Sequence, residues 1–258
     1  MKLTTTKDRA LTTISALLHG DSGCGKTSSC LTLPSDKTLI AVGERGTLPL
    51  RSKSYPVLQF KSWDDLQDIG RMFAYPEKIE DPEIKAAIQK TRVLFIDSLS
   101  ECSDLCMRNI ITVERKALLS ERSGGKQDRP KNAYEELMSM EDWGLYRARM
   151  LKMIGHFTHL PINVIFTCRS AWSKDKQGGD VFRTPNLSGK AALECPAHFD
   201  LVLYMQAGPE EGSRVWRTFN DGSIVCKDSS GVLDLYEETN WTKLFTKILK
   251  GKSNAQAK

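Results

Sequence analysis

The run Gly20-Asp21-Ser22-Gly23-Cys24-Gly25-Lys26-Thr27 constrains this chain more than any other stretch. It satisfies G-x-x-x-x-G-K-[ST] at every defined position. Glycines there let the backbone curl so that successive amides face one anionic group. An apolar run, Ile14 to Leu18, precedes the loop, and Lys26 to Leu33 reads as a helix presenting its positive end to the same anion. The motif predicts a nucleotide site in which Gly20, Asp21, Ser22, Gly23, Cys24, Gly25, Lys26, Thr27 and Ser28 cradle the phosphates of ATP. Lys26 is expected to neutralise the β- and γ-phosphates and the Thr27 hydroxyl to ligate Mg2+. The competing reading is a glycine-rich structural turn.

The rest of the N-terminal part predicts the layers around such a loop. Thr38 to Val42, Val93 to Ile96 and Asn163 to Phe166 are apolar on both faces, the pattern of a parallel sheet covered by helices. Ser62 and Asp65 form a capping-box pair before a helix with Trp63, Leu66, Ile69, Met72 and Phe73 on its apolar side. Farther on, Leu201 to Met205, Arg214 to Phe219 and Ser223 to Lys227 read as close-spaced strands. Asn220-Asp221-Gly222 is a hairpin turn between the last two. A closing helix sets Trp241, Leu244, Phe245, Ile248 and Leu249 on one stripe. The expected fold class is α/β: a mostly parallel central sheet flanked by helices, with a C-terminal antiparallel hairpin. Residues 1–250 read as a single domain and 251–258 as a flexible tail.

Composition excludes several classes. With 258 residues, 40% hydrophobic and 27% charged, wholesale disorder, collagen and coiled coil are poor readings. The net charge of +5 permits a nucleic-acid partner without demanding one. Seven scattered cysteines, and no apolar run long enough for a leader or a membrane span, predict a cytoplasmic protein with free thiols. Cys102 and Cys106 stand at helical spacing without accompanying metal-ligand pairs, so packing is expected of them.

A second chemical motif is Arg92-Val93-Leu94-Phe95-Ile96-Asp97, a buried strand delivering a carboxylate at its C-terminal end. Asp97 is therefore expected to join Thr27 at the Mg2+. A hydrolase also needs a group to orient water, and Ser98 follows Asp97 where many ring ATPases carry a glutamate. Glu44, just beyond the run Thr38 to Val42, is the best candidate, since functional groups gather at the carboxyl ends of such strands. The alternative is that Glu44 caps a loop beside Arg45.

Together the phosphate loop, the strand before Glu44 and Ile96-Asp97-Ser98 resemble the ATPase core of RecA-type recombinases. The ordered segments LLHGDSGCGKTS, GERGTLPLR, FIDSLSE, NVIFTCRS, LSGK and IVCKDSSG resemble more closely the small phage-encoded RecA-core ATPases. Those proteins are associated with single-strand annealing and homologous recombination. The likeness runs from about residue 14 to 235. It implies that Glu44, Lys26 and Asp97 are catalytic, that the chain self-assembles into a ring or filament, and that DNA stimulates its ATPase activity. It also implies single-stranded DNA and a single-strand DNA-binding protein as partners, in the host cytoplasm for a phage-encoded chain. Val42-Gly43 precedes Glu44 where the family more often has Asp-Ala, and Cys168-Arg169 replaces a polar pair ending in glutamine that senses the γ-phosphate. Arg169 is then either a phosphate contact or a solvated cation. The long N-terminal oligomerisation segment and separate C-terminal domain of RecA are expected to be missing.

Two polar, glycine-containing stretches read as long loops: Arg115 to Lys131, net +4, and Arg169 to Lys190, net +3. The resemblance makes them the two DNA-binding loops. Arg115, Lys116, Arg122, Lys126, Arg129 and Lys131 belong to the first; Lys174, Lys176, Arg183 and Lys190 belong to the second, where Trp172 and Phe182 offer stacking. The competing reading is two solvated charge runs. Lys227 stands where family members reach a neighbouring subunit's nucleotide, a trans contact as plausible as an ordinary strand lysine. From another class, a P-loop motor or switch with a protein partner stays open, including a helicase-like core. No Asn-Lys-x-Asp guanine motif is present, and nothing marks the acceptor site of a small-molecule kinase.

Overall fold

The computed structural model describes residues 13–43, 46–114, 138–174 and 181–251. Its centre is a sheet of β1 (Ser15–Gly20), β2 (Thr38–Val42), β3 (Val57–Gln59), β4 (Val93–Asp97), β5 (Asn163–Lys174) and β7 (Leu201–Ala207), all parallel, in the order β7-β1-β5-β4-β2-β3. Beyond β7 the sheet turns antiparallel through β8 (Arg214–Arg217) and β10 (Tyr236–Glu238). β6 (Val181–Pro185) pairs with β5, and β9 (Lys227–Asp228) with β7. The expected architecture, a mostly parallel sheet with a C-terminal antiparallel hairpin, is present.

Successive side chains of each central strand enter opposite cores, which is why these runs are apolar throughout rather than alternating. Leu17, Leu39, Leu94 and Val164 face one core, shared with α1 (Trp63–Ala74), α3 (Leu99–Asn109) and α4 (Met140–Thr158). Their neighbours Leu18, Ile40, Phe95 and Ile165 face the other, which α6 (Trp241–Lys250) closes. α2 (Pro82–Lys90) lies between α1 and β4 in the chain, and the short α5 (Ala191–Glu194) precedes β7. Cys102 and Cys106 are buried in the first core. Among the described residues no helix is long and apolar enough to cross a membrane.

Local signals account for the helix ends. The Ser62 side chain accepts from the Asp65 amide at 3.1 Å, and Asp65 accepts from the Ser62 and Lys61 amides at 2.9 and 2.8 Å. These bonds, the Lys61 amide first, hold the Asp65 carboxyl below its ordinary range.

Four expectations need correction. The stretch after the phosphate loop forms only a six-residue 3-10 helix, Thr27–Thr32. Ser29 and Thr32 hydroxyls bond to the Lys26 and Ser29 carbonyls, and Pro34 forces Leu33 extended, so an α-helix cannot propagate. The Asn220-Asp221-Gly222 turn exists, with the Gly222 amide on Asn220 Oδ1 at 2.8 Å. Its two arms part, however: β8 pairs with β7 and β10, whereas β9 pairs with the start of β7. Leu249 is 60% exposed: it lies inside α6, but the buried stripe of that helix is Trp241, Leu244 and Phe245. Finally, the described part of Arg169 to Lys190 is largely a two-stranded ribbon, Ser170 facing Pro185 and Lys174 facing Val181, not an irregular loop.

Candidate nucleotide-binding site

β1 and β4 carry the site. They are separated by β5, and both end at the same edge of the sheet. After Gly20 the chain curls with Gly23 at φ +75° and Gly25 at φ +102°, conformations that disfavour any side chain. The Lys26 ammonium folds back into this curl, donating to the carbonyls of Gly20 at 2.9 Å and Asp21 at 2.7 Å. The loop thus holds a cation in its own mouth, where a phosphate would draw it outward.

Asp97 arrives opposite. The Thr27 hydroxyl donates to its Oδ2 at 2.7 Å, and the buried Thr167 hydroxyl of β5 bonds its Oδ1. Two hydroxyls therefore fix the carboxylate, and Thr27 and Asp97 converge as hard oxygen donors that suit Mg2+. The peptide between Asp97 and Ser98 is cis. A cleft of ≈ 280 Å³ opens here, with Lys26, Thr27, Ser28, Asp97 and Arg169 among its walls.

The Gly43 amide donates to the Asp97 carbonyl at 3.0 Å, and a methyl placed on Gly46 would stand 3.4 Å from Asp97 Oδ2. Glu44, between them in sequence, lies outside the described residues. So do Arg115, Lys116, Arg122, Lys126, Arg129, Lys131 and Lys176. Arg169 does reach the cleft wall, and its Nη2 is 3.5 Å from Asp104 Oδ2.

The ribbon stands beside the loop. The Arg183 guanidinium lies 4.2 Å from the Trp172 ring centroid and pairs with Asp21 of the phosphate loop. Trp172 is 62% exposed, and Lys174 and Lys190 are exposed as well. Lys227 does not reach out: its ammonium donates to the Phe199 carbonyl at 2.7 Å. His19, just before the loop, is fully buried between Ser170 Oγ at 2.8 Å and the Val225 carbonyl at 2.7 Å. Burial, reinforced by Lys26 and Arg183, pulls its pKa down to about 4.

Sequence reasoning missed Thr167, the Asp21–Arg183 pair and Arg214, whose Nε would lie 3.1 Å from a methyl on Gly25. Thr167 had one faint signal, a polar residue inside a run buried on both faces.

A glycine curl gripping a lysine, facing a strand-end aspartate across a parallel sheet, defines a P-loop nucleotide-binding protein. The AAA domain family profile matches residues 12–230, and the chain belongs to that family. No curated protein matches it. Among solved structures it is similar to the RadB recombinase, at 12% identity and TM-score 0.40, over 79% of each chain.

Proposed function

We propose that the protein binds and hydrolyses Mg-ATP and couples this to single-stranded DNA, assisting phage-type homologous recombination or strand annealing. The observation that carries the nucleotide part is the meeting of Thr27 and Asp97 at 2.7 Å beside the Lys26 curl. In that site Lys26 leaves the Gly20 and Asp21 carbonyls for the β- and γ-phosphates, while the loop amides hold the chain of phosphates still. Thr27 and Asp97 hold the metal, which supplies charge neutralisation at the γ-phosphate. Glu44 serves as the acid that orients water, and Arg169 adds a cation at the cleft wall. The six-residue turn after the loop carries little macrodipole, so the burden falls on the loop amides and Lys26.

The DNA part is supported by the ribbon: an exposed Trp172 and cationic Lys174 and Arg183 offer a stacking face beside positive charge. The basic stretch Arg115 to Lys131 and Lys190 extend the same proposal. Self-assembly into a ring or filament brings further copies onto one strand. A trans contact by Lys227 requires it to give up the Phe199 carbonyl.

ATP turnover with and without single-stranded DNA tests the proposal. Lys26→Ala should lower turnover about 100-fold or more, and DNA should raise the wild-type rate. Trp172→Ala should weaken DNA binding by about 1–3 kcal/mol, with a steep salt dependence in the parent. ATP turnover indifferent to DNA, with no DNA affinity at low salt, would leave the reading of a motor or switch with a protein partner.

A further inference from the structure

Three arginines from three elements surround the phosphate loop. Arg169 pairs with Asp104 and Arg183 with Asp21. Arg214, the first residue of β8, is exposed, and among the described residues its side chain has no hydrogen-bonded or ionic partner. Its stem nevertheless lies across the loop: a methyl on Gly25 would meet Arg214 Nε at 3.1 Å, its Cδ at 3.4 Å and Met205 Sδ at 3.7 Å. A guanidinium laid against a phosphate-binding backbone, with its fork unused, is placed to meet a ligand.

The sheet order says which end of the ligand. From β1, the strand of Asp97 lies two places to one side and the strand of Arg214 two places to the other. A triphosphate whose terminal phosphate lies at Thr27 and Asp97 runs toward β4. Its nucleoside end then points back over Gly25 toward β8. Arg214 is not among the residues that wall the phosphate cleft, so a group that it contacts lies beyond that cleft.

We propose that Arg214 is a nucleoside-contacting residue whose guanidinium plane stacks on the purine of the bound nucleotide. This rests on the reading of Gly20 to Ser28 as the ATP-phosphate loop.

Calorimetric titration of the full chain with Mg-ATP and with Mg-tripolyphosphate tests it, because only ATP carries a base. Arg214→Ala should weaken ATP binding about tenfold and leave tripolyphosphate unchanged. Arg214→Lys, which keeps charge but not the plane, should resemble Arg214→Ala. Unchanged thermal melting establishes that the fold is intact in both. Unaltered ATP affinity in Arg214→Ala overturns the assignment. So does a parallel loss of both ligands restored by lysine, the signature of a phosphate contact. Lys26→Ala separates the two layers of the argument, since it should lose both ligands. A wild type that binds neither ligand defeats the phosphate-loop reading itself.

Discussion

Asp97 has a hydroxyl on each carboxylate oxygen, Thr27 on Oδ2 and Thr167 on Oδ1. Thr27 faces the cleft, whereas Thr167 is buried behind it and can only orient the carboxylate. Thr167→Val should therefore raise the Mg2+ concentration for half-maximal ATP turnover about tenfold, with ATP affinity in excess Mg2+ little changed. A titration of turnover against Mg2+ reads this. His19 gives the second residue-scale expectation. Its folded pKa of about 4 lies below the value of about 6.5 expected when unfolded. The unfolded chain therefore binds a proton that the folded chain refuses, and stability is lost as pH falls from about 6.5 to 4, by up to about 3 kcal/mol. Urea midpoints should drop between pH 7 and pH 5, and the drop should shrink in His19→Asn.

At the scale of elements, the β5–β6 ribbon is tied to the phosphate loop through the ion pair of Arg183 with Asp21, while within the ribbon the same guanidinium stacks on Trp172. Arg183→Ala removes the tie and the stacking contact at once. Fluorescence anisotropy with a labelled single strand should show weaker binding in that variant, and a greater loss than in Lys174→Ala. α1 offers a simpler case: Ser62→Ala deletes one partner of its capping box and should cost about 1 kcal/mol in thermal or urea unfolding. That cap was legible because Ser62 and Asp65 interact within four residues. The phosphate loop was legible for the same reason, since its glycines answer to local backbone sterics. The ribbon was not. Its paired arms, Ser170–Lys174 and Val181–Pro185, have no apolar alternation to mark them, and they are recognisable only once Ser170 faces Pro185. Thr167 against Asp97 and Arg214 across Gly25 likewise depend on which strands become neighbours, which no spacing along the chain displays.

At the scale of the molecule, the two cores on either face of the sheet meet the site from behind. α6 lies beyond the residues matched by the family profile, yet it is seated against the turn that follows the phosphate loop. Its Trp241 amide donates to Thr32 Oγ1 and its indole Nε1 to Ser29 Oγ, both at 2.9 Å. The same ring packs on Trp216, with centroids 4.4 Å apart. Trp241→Ala should cost about 3–5 kcal/mol of stability, read by urea unfolding. The hydrogen bond from Trp241 to Ser29 also has an optical outcome. An indole anchored two residues from Thr27 is a built-in emitter, so loading the curl should change the intrinsic ultraviolet fluorescence of the unlabelled protein, and Trp241→Phe should abolish most of that signal.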